Sequence, residues 1–153
     1  SAANHTDVPF RIYGLGLAHK HLPEMQAYCG LAHRPVFTPA VGRYRKGMLV
    51  EVPLPLEAMP GAPAPAQVQA CLEAAYADEP FVAVATPGES AAVATLDPEG
   101  LNGTNRMRLH VFANPATGQA QLVALLDNLG KGAAGAAVQN LNLALGLEEG
   151  AGL

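Results

Sequence analysis

The side chains best suited to chemistry lie near the start of the 153-residue chain. In "YGLGLAHKHLPEMQ", residues 13–26, His19 and His21 stand one residue apart, just ahead of a helix-start signal. Imidazole can ligate a metal or exchange protons near neutral pH. Histidines at i and i+2 of an extended segment point to opposite faces and make a poor chelate. Glu24 is the one acidic neighbour in this stretch, so no metal site is expected. Proton exchange is the chemistry left, with two ordinary loop histidines as the alternative. Tyr13 can place its hydroxyl near the same spot or serve as a core tyrosine.

Three further groups carry charge or paired donors and acceptors. Arg43, Arg45 and Lys46 form the densest positive cluster, beside Gly47, where a backbone can approach closely. They suit an anion, or simply a solvated basic loop. In "DNLGKGAAGAAVQNLNLALG", residues 127–146, Lys131 lies between two glycines near a helix start. It can meet a cofactor phosphate or remain exposed. Gln139 and Asn142 lie three apart, on one helix face. Carboxamides such as Gln139 and Asn140 offer both a donor and an acceptor, which suits the amide of a cofactor. A polar face turned to water is the alternative. Cys29 falls at a helix end and Cys71 on a predicted core face. Two cysteines make neither a disulfide framework nor a CxxC metal site, and small buried thiols are expected.

The elements that must position these groups can be traced along the chain. Residues 8–17 suggest an irregular strand ending in a glycine-loosened loop. Pro23, Glu24 and Gly30 mark the start and stop of a short helix. The stretch 34–56 is β-like from Val36 and Phe37 onward, with Met48 to Val52 as a strand that Pro53 and Pro55 close or place at an edge. A proline-rich loop (57–67) leads to a helix over Ala66 to Ala77, with Val68, Cys71, Leu72 and Ala75 on its core face. A short strand within 80–87 follows. Met107, Leu109 and Val111 alternate with Arg108 and His110 in the next strand, which turns at Asn114–Gly118 into its partner. A small-residue helix ends the chain. The order β-α-β-loop-α-β-β-β-α predicts an α+β fold: a mixed or antiparallel sheet with helices on one face.

Composition narrows the function classes. Only 14% of residues are charged, so part of the surface must be small or apolar, and buried interfaces are expected. The net charge is −4, and "RYRK" at 43–46 is the best basic cluster, which argues against a nucleic-acid binder. No apolar run is long enough to span a membrane and no secretory signal is visible, so a cytoplasmic protein is expected. The chain begins Ser-Ala-Ala-Asn-His rather than with Met, which suggests processing, a tag, or excision from something longer.

Four segments, in order, carry a resemblance. "HKHLPEM", "FTPAVGRYRKGMLVEVPL", "LNGTNRMRLHVF" and "DNLGKGAAGAAVQNLN" resemble motifs of the N-acetyl-gamma-glutamyl-phosphate reductases of arginine biosynthesis, over about residues 13–152. Aspartate-semialdehyde dehydrogenases share the Asp-Asn-Leu-x-Lys-Gly-Ala helix, but the His-x-His-x-Pro-Glu segment and the Gln-Asn-x-Asn ending favour the first family. A lysine-pathway paralogue that reduces an aminoadipyl phosphate shares both features.

The resemblance implies the C-terminal α+β domain of glyceraldehyde-3-phosphate-dehydrogenase-like enzymes. Residues 1–128 would be a substrate-binding and dimerisation domain, and 129–153 a helix packing on an upstream nucleotide-binding half. That half would bring NADP and the cysteine nucleophile, whose motifs this sequence lacks. A homo-oligomer acting on a small acyl phosphate is implied. Thioester chemistry needs a group that takes the thiol proton and handles a proton at the hemithioacetal oxygen. His19 is expected in that role, with His21, Tyr13, Arg43 and Lys46 binding substrate and Lys131, Gln139 and Asn140 meeting the cofactor. A non-catalytic interaction module that kept the fold is the alternative of a different class.

Overall fold

A computed structural model describes residues 8–153. They divide into two compact units, the first ending at Arg45 and the second running from Lys46 to Leu153.

The first unit holds two short antiparallel strands, β1 (Phe10–Ile12) and β2 (Ala40–Gly42), with Phe10 opposite Gly42. Between them lies α1 (Leu22–Tyr28). It starts where Pro23 and Glu24 predict, because proline has the helical φ in advance and no N–H to lose in the first turn. Leu22 is its buried anchor. Gly30, at a φ of +62°, takes the left-handed conformation just beyond the helix. The strand expected from Val36 and Phe37 begins only at Ala40. Pro39 intervenes, and its carbonyl instead accepts the Tyr13 N–H at 3.0 Å.

The second unit is built on a four-stranded mixed sheet of β3 (Met48–Pro55), β4 (Val82–Val84), β5 (Met107–Asn114) and β6 (Gln119–Leu126). The spatial order is β3-β6-β5-β4; β4 runs parallel to β5 and the other pairs are antiparallel. With α2 (Pro65–Ala75), α3 (Pro87–Ala91) and α4 (Gly135–Ala144), this is the α+β class the sequence predicts. β3 runs straight through Pro53 and Pro55, paired to Gln121 and Gln119. Two residues apart, both missing N–H groups fall on one side of the strand, and β3 is an edge strand with that side open. The β5–β6 hairpin turns on Asn114, whose Oδ1 accepts the Ala116 N–H, and on Gly118 at a φ of +59°. Leu56, Val111, Val123, Leu125 and Leu126 form the core.

Two elements depart from expectation. α3 was not predicted, although its signal is present: Thr86 Oγ1 accepts the Glu89 N–H at 3.2 Å, and Glu89 Oε2 accepts the Thr86 N–H at 2.8 Å. This is a reciprocal capping box ahead of a proline-started turn. Glu89 then pairs with Arg108 at 2.6 Å, and Ser90 Oγ shares a hydrogen bond with His110 Nδ1 at 3.1 Å, which fixes α3 over that face of β5. Burial, and then the Arg108 charge, push the His110 pKa below the usual histidine value. In α2 the predicted core face is rotated. Cys71 and Ala75 are exposed, and the buried residue is Gln69. Its Nε2 donates to the Ala85 carbonyl at 2.9 Å and to Glu73 at 2.7 Å. A carbonyl just beyond the edge strand β4 needs a donor, and a polar side chain supplies it.

Candidate functional site

In the first unit the two histidines converge. The backbone turns at residues 19–22, with the Leu22 N–H bonded to the His19 carbonyl at 3.0 Å. The rings of His19 and His21 therefore lie 5.0 Å apart, centroid to centroid, instead of on the opposite faces an extended segment would give. Tyr13 and Phe37 set their rings edge-on to His19 at 5.9 and 5.1 Å. Gly14, at a φ of +66°, lets the loop pass Pro39 and the His19 ring. His19 is thus held in an aromatic collar and half-buried, while His21 is exposed. Glu24 Oε2 contacts His21 Nδ1 at 2.8 Å, so Glu24, expected only as a helix-start residue, is also a partner of the pair. Arg43 is exposed on the same unit, its backbone N–H bonded to the Pro9 carbonyl at 3.1 Å. Among the described residues no group of three or more His, Cys, Asp or Glu is placed to hold a metal ion.

In the second unit Lys46 meets Asp127, which sequence inspection did not single out. Nζ lies 2.9 Å from Oδ2, and the Asp127 side chain is 2% exposed. Oδ2 also accepts the Gly103 N–H, and Oδ1 those of Leu129 and Gly130, at 2.8 to 3.0 Å. Burial pushes the Asp127 pKa up. The N–H of Gly103, the Lys46 ammonium and the N–H groups of Gly130 and Leu129 more than offset this, and hold it far below the usual carboxylate range. Gly47 follows at a φ of +110°, its N–H bonded to Asn128 Oδ1 at 2.8 Å, and a Cβ there would strike the Pro98 carbonyl.

The glycine-rich segment behaves likewise. A π-turn (Gly130–Ala134) precedes α4. A Cβ on Gly130 would come 2.8 Å from the Thr104 carbonyl, and one on Gly135 would run into Asn105 Oδ1. The small residues therefore admit the Gly103-Thr104-Asn105 turn of this same unit. Gln139 and Asn142, which a polar surface helix would turn to water, are buried. Gln139 Oε1 accepts from Asn105 at 3.1 Å and from Lys131 at 2.6 Å, and its Nε2 donates to Glu149 at 2.6 Å. Asn142 Nδ2 donates to the Glu149 and Ala151 carbonyls at 3.0 and 2.9 Å. Lys131 also lies 5.6 Å from the centre of the Phe81 ring. Of the three residues expected to meet a cofactor, Asn140 is exposed, whereas Lys131 and Gln139 bind each other. Cys29 and Cys71 are both exposed thiols, not the buried ones expected.

A histidine-bearing unit, a mixed sheet and a glycine-rich terminal helix follow one another along the chain. The family profile of the semialdehyde dehydrogenase dimerisation domain matches residues 1–128, and the chain belongs to that family. Among its relatives is a protein of Burkholderia cenocepacia named N-acetyl-gamma-glutamyl-phosphate reductase, 50% identical over 144 residues, covering 94% of this chain and 46% of the relative. A Pseudomonas putida protein named N-acetyl-gamma-glutamyl-phosphate reductase 2 is 52% identical over 136 residues, 89% of this chain and 44% of the relative. A Trichormus variabilis protein with the first name is 48% identical over 151 residues, 97% of this chain and 47% of the relative. The chain thus spans just under half the length of these relatives. No helix among the described residues is long and apolar enough to cross a membrane.

Proposed function

We propose that this chain is the substrate-binding and dimerisation part of a cytoplasmic, NADP-dependent reductase that converts N-acetyl-glutamyl 5-phosphate to N-acetyl-glutamate 5-semialdehyde and phosphate, a step of arginine biosynthesis. The observation that carries this reading is the His19–His21 pair, brought to a ring separation of 5.0 Å in a chain about half identical to reductases of that name.

In this reading a cysteine thiol of the rest of the protein attacks the acyl carbon. His19 and His21 handle protons at the reacting carbonyl, work that imidazole does near neutral pH. Tyr13 keeps the His19 ring oriented. Arg43 and Lys46, each on its own unit, are assigned to the anionic groups of the substrate, with Asp127 fixing the Lys46 ammonium. The nicotinamide cofactor supplies the hydride and is held mainly by the other half of the protein. From this chain Asn140 would reach it, on a helix that Lys131 and Gln139 brace. Leu141, Leu143, Leu145 and Leu147 are each more than half exposed on and just beyond α4, a surface suited to covering by that upstream half. Val50 and Val52 share one face of the edge strand β3 and are 42% and 45% exposed, which suits self-association.

The full-length protein should oxidise N-acetyl-glutamate semialdehyde with NADP only when phosphate is supplied. A preference for aspartate semialdehyde or a carrier-bound aminoadipate semialdehyde would replace this substrate assignment with that of a sister family.

A further inference from the structure

Charge is divided unevenly along this chain. Between residues 8 and 45 the cations are Arg11, Lys20, Arg34, Arg43 and Arg45, and the one carboxylate is Glu24, a formal net charge of +4. From Lys46 to Leu153 four cations stand against eleven carboxylates, a net −7. A chain whose total is −4 thus gathers its unopposed positive charge in the unit that carries the histidine pair.

All five cations are exposed, and among the described residues none of them meets a carboxylate. Glu24 faces His21 instead. Two of the five are brought together by strand pairing. Arg11 lies opposite Val41 on the β1–β2 ribbon, and the Arg43 N–H extends that ladder to the Pro9 carbonyl. Positions two apart along a strand share a face, so Arg11 and Arg43 are diagonal neighbours on one side of the ribbon. Like charges so placed repel each other, and stability alone would favour an acid at one of the two positions.

We infer that the first unit is an electrostatic collector for multiply charged oxyanions, in which Arg11, Lys20, Arg34 and Arg45 draw the anion toward the histidine turn without touching it. Exposed charges act over about one Debye length, roughly 8 Å at physiological salt. What an arriving anion meets is therefore the local sign and not the net charge of the chain. Clustered charge of one sign raises the local concentration of an opposite ion and its rate of arrival. The identity of the anion rests on the reductase reading; the division of charge does not. In that reading the acyl phosphate carries a carboxylate and a phosphate together, whereas the semialdehyde keeps only the carboxylate. The field favours the more highly charged species, so it captures the acyl phosphate and lets the aldehyde go.

The test is the full-length protein assayed for semialdehyde oxidation at saturating NADP, from about 20 to about 500 mM sodium chloride, which shortens the Debye length about fivefold. Over that range kcat/KM for phosphate should fall about tenfold, the low end of what steering supplies, with kcat nearly constant. For the semialdehyde, which carries less charge, it should fall less. The double variant Arg11→Gln/Arg34→Gln removes two exposed charges. At low salt it should lower kcat/KM for phosphate about threefold, and at high salt it should match wild type. A flat salt profile in wild type overturns the inference. So does a deficit in the variant that persists at high salt, because a lost contact or a damaged fold is not screened away. If the full-length protein oxidised no semialdehyde, the reductase reading would fall. Binding of inorganic phosphate, followed by 31P line broadening over the same salt series, would still decide the collector. It should weaken with salt in wild type and less so in the double variant; salt-independent binding, or none, overturns the inference.

Discussion

Replacing His19 by alanine in the full-length protein is expected to lower turnover by about 10²–10⁴-fold, the range that a positioned acid–base group contributes. The fold should survive. His19 is only half-buried, its backbone carbonyl still closes the turn by accepting the Leu22 N–H when the 3.3 Å bond from the His21 N–H to its ring is lost, and α1 is anchored by Leu22. The loss should fall mainly on kcat, because proton transfer stabilises the transition state and contributes little to ground-state binding. Steady-state kinetics with a parallel thermal unfolding curve separate the two possibilities. Near-normal turnover in a folded variant would remove His19 from the chemistry altogether.

The second large effect concerns stability. Asp127→Asn should destabilise the chain by about 2–3 kcal/mol, the cost of losing buried hydrogen bonds to a charged acceptor, since the Lys46 side chain left behind is 34% exposed and water can solvate it. Lys46 loses its counter-charge, and the new amide N–H₂ faces N–H groups that had an acceptor. The effect should depend on pH. The Asp127 pKa is lowered in the folded state, so its contribution is present above the unfolded pKa of about 3.9 and is lost as pH falls below it toward the folded value. Urea unfolding at neutral pH and near pH 3 should therefore show the gap between wild type and Asp127→Asn narrowing in acid. An equal gap at both pH values would mean that the carboxylate charge is not what stabilises this junction.

How much of this was legible in the sequence depends on the range of the interaction. α1 and the β5–β6 hairpin are announced by residues within a few positions of one another, namely Pro23, Glu24 and Gly30, and Asn114 with Gly118. The glycine-rich helix start was equally visible, but its purpose was not. Gly135 is small for the sake of Asn105, thirty positions earlier in the chain, and only the fold joins them. For the same reason spacing offers only a cofactor-facing or a water-facing role for Gln139 and Asn142, whereas their partners Asn105, Glu149 and Ala151 arrive from other segments. Asp127 does not stand out because a lone aspartate in Asp-Asn-Leu-Gly has no chemistry until Lys46 and Gly103 are brought to it. In the candidate site, the spacing of the histidines was visible but not their convergence, because a turn and not an extended backbone lies between them.

The central claim is that these residues form one half of an acyl-phosphate reductase. The most direct measurement is phosphate-dependent NADP reduction by N-acetyl-glutamate semialdehyde, first with this chain alone and then with a nucleotide-binding half from a close relative supplied in trans. The account predicts no activity from the chain alone and measurable activity in the mixture, abolished when the added half lacks its cysteine. Activity of the chain by itself would contradict it, because the nucleophile would then have to be one of its own exposed thiols, Cys29 first.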